Sequence, residues 1–232
     1  MPYAGYGMNA GIADAMNLSW LLAAHLNGWA PASILDAYEA ERLPITSQVS
    51  RFAMSHAEAE IKRRGAVPAE IEEEGPRGES ARRNVGRLTY EINVQQYACA
   101  GLNFGAYYDR SPIIAYDGSP QPSYTMNSYT PSTVPGCRTP HFFCDDGSSL
   151  YDAMGPEFTL LRFDPAVDAT ALSVAARDKR VPLRILDVEQ PDAAYESGKL
   201  VLSRPDQHVA WRGDRVPADP IALIDRICGA AQ

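Results

Sequence analysis

Phe158-Thr159-Leu160-Leu161-Arg162-Phe163 is a largely apolar run bounded by Pro156 and Pro165. Its length and its aromatic and β-branched content predict a buried strand. Downstream, Asp168 stands where a carboxylate can cap a helix reaching about Lys179. Val181 to Val188 reads as a second strand, and Leu200 to Ser203 with Val209 to Trp211 as a pair joined by the tight turn Arg204-Pro205-Asp206-Gln207. Asp219 followed by Pro220 predicts a capped helix start, with Ile221, Ile224, Ile227 and Cys228 on one face.

Strand, helix, strand, hairpin, helix is the order of a thioredoxin-like sheet, so 136–232 is expected to form a compact α/β domain. Upstream, 65–135 reads as a connector with extended segments. It opens on a charged stretch, Glu70 to Glu79, expected to be a solvated loop, and Leu88 to Tyr97 alternates enough to predict a strand. Ser111-Pro112-Ile113-Ile114 looks extended, and Pro120, Pro122, Pro131 and Pro135 keep the stretch up to Gly136 in turns. Residues 1–64 read as helical. Ala10 to Leu26 is apolar nearly all round, which predicts a buried helix ending at Gly28. Pro31 suits the first turn of the next helix, with Ile34, Leu35 and Tyr38 on one face; Pro44 is expected to break or kink it, and Ile45, Val49, Phe52 and His56 continue at helical spacing.

The whole chain has 232 residues, 45% hydrophobic and 22% charged, an ordinary globular composition with length enough for a core. Its formal charge of −8 and the lack of any basic run argue against a nucleic-acid partner. No stretch approaches the ~18 consecutive apolar residues of a membrane span, and Met1 to Gly7 has no secretory pattern, so a cytoplasmic protein is expected. Cys99, Cys137, Cys144 and Cys228 form no Cys-x-x-Cys pair, and His141 near Cys144 lacks a completing cluster, so no metal site is expected.

The chemistry concentrates at the opening. Gly5, Gly7 and Gly11 precede or begin the apolar helix, with Asn9 near its cap. Glycines allow close approach to the backbone, and the first amides of a helix are unpaired donors at the positive end of its dipole. Such a place favours an electron-rich acceptor, a phosphate, a carboxylate or a flavin pyrimidine oxygen. Taken alone, the pattern fits a plain Gly-rich turn before a buried helix better than a ligand site.

The longer string, Pro2-Tyr3-Ala4-Gly5-Tyr6-Gly7-Met8-Asn9 continuing through Asp14-Ala15-Met16-Asn17-Leu18-Ser19-Trp20, resembles the second flavin-contact motif of the FAD-dependent aromatic-ring hydroxylases, the flavoprotein monooxygenases of the para-hydroxybenzoate hydroxylase and phenol hydroxylase type. Tyr38-Glu39-Ala40-Glu41-Arg42-Leu43-Pro44 resembles the family's next helix. Tyr129-Thr130-Pro131-Ser132, Pro135 to His141, Asp146 to Asp152, and Leu202 to Arg212 resemble its C-terminal thioredoxin-like domain. Leu21 stands where the family often has Lys.

The resemblance implies a helical tail of an FAD-binding domain followed by a thioredoxin-like α/β domain. It implies Gly5, Gly7, Met8 and Asn9 as cofactor-binding residues at the flavin edge, NAD(P)H as co-substrate, an aromatic small-molecule substrate, and room for a homodimer. The family's Gly-x-Gly-x-x-Gly turn and the Gly-Asp pair upstream of Pro2 are not in this sequence. The chain therefore reads as the C-terminal portion of a longer hydroxylase, inactive as given. No residue is assigned as catalytic: Asp14 and Asn17 fit packing, His141 and His208 structural hydrogen bonds, and Arg204 with Asp206 a turn-stabilising pair. Tyr97, Phe104, Tyr107 and Tyr108 are aromatic candidates for a substrate region or for core packing. The alternative is a non-catalytic packing or dimerisation module; thiol exchange finds no resolving cysteine pair.

Overall fold

The computed structural model describes residues 5–189, 193–195 and 198–231. Pro2 to Ala4 of the opening motif lie outside the described residues. Helix α1 (Tyr6–Leu26) ends at Asn27 and the left-handed Gly28, whose amide bonds the His25 carbonyl. A short 3₁₀ turn (Ala32–Leu35) behind Pro31 leads into α2 (Asp36–Gly65). Pro44 lies inside α2 and does not end it. Packing outweighs the lost hydrogen bond: Ala37, Glu41 and Arg42 are buried before the proline, and Ala53, His56 and Ala57 after it.

The strand expected over Leu88 to Tyr97 is instead part of a helix, α3 (Pro76–Tyr97). Gly75 at φ 84° and Pro76 at its first position start it. Arg83–Glu79 and Arg87–Glu91 pairs brace its outer face. Val85, Leu88 and Ile92, at helical spacing, line a groove shared with Ala59 and Val67. The charged stretch expected to be a loop is partly ordered: Ala69–Glu72 forms a 3₁₀ turn, and Arg82 donates to the carbonyls of Ile71 and Glu73. Helix α4 (Ala100–Phe104) follows, then an irregular run containing the buried Ile113 and Ile114.

The C-terminal α/β unit matches its expectation closely. After α5 (Leu150–Met154) come β1 (Phe158–Arg162), α6 (Thr170–Asp178), β2 (Leu183–Asp187), β3 (Leu200–Ser203), β4 (Val209–Gly213) and α7 (Pro220–Ile227). The sheet order is β2-β1-β3-β4, with β1 and β2 parallel and the remaining pairs antiparallel. Asp219 Oδ1 accepts from the Ala222 amide, as its capping role requires. Asp168, by contrast, stands one residue before the N-cap, Ala169, and its Oδ1 accepts from the Thr170 amide, so it braces the turn into α6 and does not cap it. On α7 the buried face carries Leu223, Ile224 and Ile227, while Ile221 is half exposed, a correction to the expected stripe.

Alternation along the strands sends side chains to two cores. Leu161, Val201 and Val209 face Leu150, Met154 and Tyr195. Phe158, Leu160, Leu200, Leu202 and Ala210 face the larger core, which also contains Trp20, Leu21, Ala24 and Ile34 from the first 64 residues. The helical tail and the sheet therefore bury one continuous apolar interior, and Trp211 packs against it. One expectation fails here. Helix α1 is not buried all round: Met8, Ile12, Met16 and Leu26 are exposed, because only its Trp20–Leu21–Ala24 side has partners in this chain.

Candidate functional site

Helix α1 begins at Gly5, which sits at φ 71° with no side chain capping the first amides. Left-handed backbone at that position suits glycine. The first turn contains no acidic residue. A Cβ built at Gly5, Gly7 or Gly11 would meet no atom within 4 Å. Asn9 Nδ2 donates to the Gly5 carbonyl at 3.1 Å and so ties the cap to the second turn. Met8 is exposed. The four residues taken from the sequence thus share one open helix end, rich in donors and free of competing carboxylates. That arrangement fits the electron-rich edge of a planar cofactor.

Asn9 also lines a cleft of about 550 Å³ between α1, α2 and the segment after α4. Asn17, Tyr108 and His208 form part of its wall. Behind that wall lies a buried charge network. Arg204, with no exposed side-chain surface, donates from Nη1 and Nη2 to Glu41 at 2.5 and 2.8 Å. It donates from Nε and Nη2 to Asp206 at 3.0 and 2.6 Å. Asn17 Nδ2 donates to Glu41 at 2.7 Å and to Asp206 at 3.2 Å, and Ser111 Oγ donates to Glu41. The rings of Trp20 and Tyr108 lie 4.9 and 5.2 Å from the guanidinium carbon. Burial alone would raise the Asp206 pKa, but the Arg204 guanidinium, then His208, hold it far below the usual carboxylate range. Arg204 and Asp206 do stabilise their turn, but the pair is also one corner of a network that joins α2 to the hairpin.

The other candidates fall into structural places. Asp14 accepts from Arg42 Nε at 2.8 Å, and His56 is buried and stacks on Phe52. His208 stacks on Tyr108 with centroids 4.2 Å apart, and its Nδ1 lies 3.1 Å from the Asp206 carbonyl. His141 Nε2 lies 2.8 Å from Ser149 Oγ. Burial pushes the Cys137 thiol up to about 12, so it stays protonated at neutral pH. Tyr97 is exposed, Tyr108 is buried, and of the four aromatic candidates Phe104 and Tyr108 line the cleft. Among the described residues, no three His, Cys, Asp or Glu side chains are grouped closely enough to hold a metal ion. No helix among them is long and apolar enough to cross a membrane.

Sequence reasoning missed the Glu41–Arg204 contact. Both residues lie in strings it singled out, but their meeting depends on tertiary structure.

Comparison with known proteins gives a consistent picture. Residues 1–53 match the family described as FAD binding domain, and residues 132–231 the family described as aromatic-ring hydroxylase, C-terminal. An FAD-dependent monooxygenase, opdD, of Penicillium oxalicum is 34% identical over 93% of this chain and 43% of its own length. Phenol 2-monooxygenase of a Pseudomonas species is 31% identical over 98% of this chain and 43% of its own. The rebeccamycin biosynthetic enzyme RebC, solved with reduced flavin, superposes with a TM-score of 0.88 at 37% identity, over 99% of this chain and 43% of that one. The chain thus spans less than half the length of these relatives.

Proposed function

Because this chain belongs to the FAD-dependent aromatic-ring hydroxylases, we propose that it is the C-terminal part of a flavin monooxygenase acting on an aromatic, phenol-like substrate, with NAD(P)H as reductant. In this reading the first-turn amides at Gly5, Gly7 and Met8, with Asn9 holding the cap, receive the pyrimidine edge of FAD and favour negative charge there. FAD, when bound, supplies the oxygen chemistry itself. The role of this chain is to hold one edge of the flavin and to wall the adjoining cleft. The observation that carries the reading is the open, acid-free start of α1 around the left-handed Gly5. The sheet order and its one parallel pair support a thioredoxin-like domain over 136–232. Four free cysteines with no disulfide support a cytoplasmic location.

The test is a fluorescence titration of the chain with FAD, followed by an NAD(P)H oxidation assay with simple phenols. The sequence holds no Gly-x-Gly-x-x-Gly turn for the pyrophosphate. Each missing charge-assisted hydrogen bond is worth roughly 1.5–3 kcal/mol, so two lost bonds weaken binding by about two to four orders of magnitude. Weak FAD binding and no phenol-stimulated turnover are expected. Tight one-to-one binding with turnover would overturn the reading of an inactive part.

The exposed Met8, Ile12 and Met16 favour a second reading, a packing or dimerisation module. Concentration-dependent self-association in sedimentation, with no flavin effect on it, would support that alternative.

A further inference from the structure

Arg138 stands where two cavities meet. It lines both the 550 Å³ cleft and a neighbouring cavity of about 340 Å³. Its backbone is fixed: the amides of Gly136 and Val209 bond the carbonyls of Val209 and Cys137, and the Thr139 amide bonds Gln207. Its guanidinium is fixed as well. Nε donates to the Tyr151 hydroxyl at 3.3 Å and Nη2 to Gln207 Oε1 at 2.9 Å. The Tyr151 hydroxyl in turn donates to the Thr139 carbonyl at 2.6 Å. The rings of Phe104 and Tyr151 lie 5.4 and 5.3 Å from the guanidinium carbon. Gln207 is held at φ 64°, a left-handed conformation that costs a non-glycine residue energy.

No carboxylate balances this cation among the described residues. None of the ion pairs involves Arg138, and no Asp or Glu lines the smaller cavity. The acid on the wall of the larger cleft, Asp206, has both oxygens engaged by Arg204. Among the described residues, no protein acceptor meets Nη1 of Arg138, whose Nε and Nη2 are the engaged nitrogens. A guanidinium oriented by two neutral acceptors and faced by aromatic rings presents a fixed fork to a planar anion. The surrounding space falls in the range of small-molecule sites, about 300–1,000 Å³.

We infer that Arg138 anchors an aromatic carboxylate, the anion on its free fork and the ring system along the Phe104 side of the cleft. The site lies in the same cleft that Asn9 lines, but it stands independently of any bound flavin, so its test uses none.

The experiment is calorimetric titration of the chain with 2-naphthoate, 2-naphthamide and acetate. Naphthoate is expected to bind at least about tenfold more tightly than the neutral amide, as one charge-assisted contact requires, and acetate more weakly than naphthoate. Arg138→Gln is expected to bring naphthoate and naphthamide within about twofold of each other, whereas Arg138→Lys keeps part of the difference. Equal affinities in the wild-type chain, or full discrimination surviving in Arg138→Gln, would overturn the inference. Should Arg138→Gln not fold, Gln207→Leu removes only an orienting acceptor. Discrimination cut by about threefold or more would then support the site, and unchanged discrimination would overturn it.

Discussion

Replacing Arg204 with methionine is expected to lower stability by about 3–5 kcal/mol at pH 7, measured by urea unfolding. The cost comes from what the substitution strands. Glu41 has no exposed side-chain surface and Asp206 only 2%, so neither carboxylate can recover its lost partner from water. Adding Glu41→Gln to the methionine variant removes one stranded charge and should restore part of the loss. The pH dependence separates this account from simple loss of packing. In the wild-type chain Asp206 is held below its unfolded pKa. Its contribution is therefore fully present above about pH 4 and is lost as the pH falls below that toward its depressed native value. Without Arg204 the sign reverses: burial raises the stranded Asp206 carboxyl, and protonation relieves it. The stability gap between variant and wild type should narrow as pH drops from 7 toward 4. A gap that stays constant over that range would mean that the network contributes packing alone.

Phe158→Ala is expected to cost about 3–5 kcal/mol, again by urea unfolding. Phe158 is fully buried and meets two indoles edge-on, Trp20 at 5.8 Å and 86°, and Trp29 at 6.1 Å and 75°. The indoles lie within the first 64 residues and Phe158 lies in β1, so their contact is a seam between the helical tail and the sheet. A double-mutant cycle with Trp20→Ala should show a coupling of about 0.5–1.5 kcal/mol, and the two single losses should not add. Strict additivity would mean that tail and sheet are stabilised separately.

The C-terminal unit was legible in the sequence because its signals are local. Pro156 and Pro165 bracket β1, and Asp219-Pro220 starts α7. Alternation along the strands needs no knowledge of what lies opposite. Helix α3 was misread because its apolar residues, Val85, Leu88 and Ile92, are sparse among charges and next to the β-branched Thr89 and Val94. Its helical spacing was present but weak. Pro44 gave a local stop signal that burial on both sides of it overrides. Of the candidate site, the glycine-opened helix was readable, because glycines and the absence of acids are visible residue by residue. The charge network was not, because Asn17, Glu41 and Arg204 each look ordinary until the fold brings them together. Arg138 lay inside a recognised string, yet the lack of a balancing carboxylate shows only in three dimensions.

The Arg204–Glu41 bond joins residues 163 positions apart, and the Asn17–Asp206 bond residues 189 apart. During synthesis at about 5–20 residues per second, Glu41 leaves the ribosome long before its cation exists. Until the last hairpin is made, the nascent helices carry an acid meant for an interior that cannot yet close. Contacts this distant in sequence also slow the search for the native state. Completion of the tail's core is therefore tied to synthesis of the hairpin that carries Arg204, and a chain released before that residue would keep Glu41 hydrated.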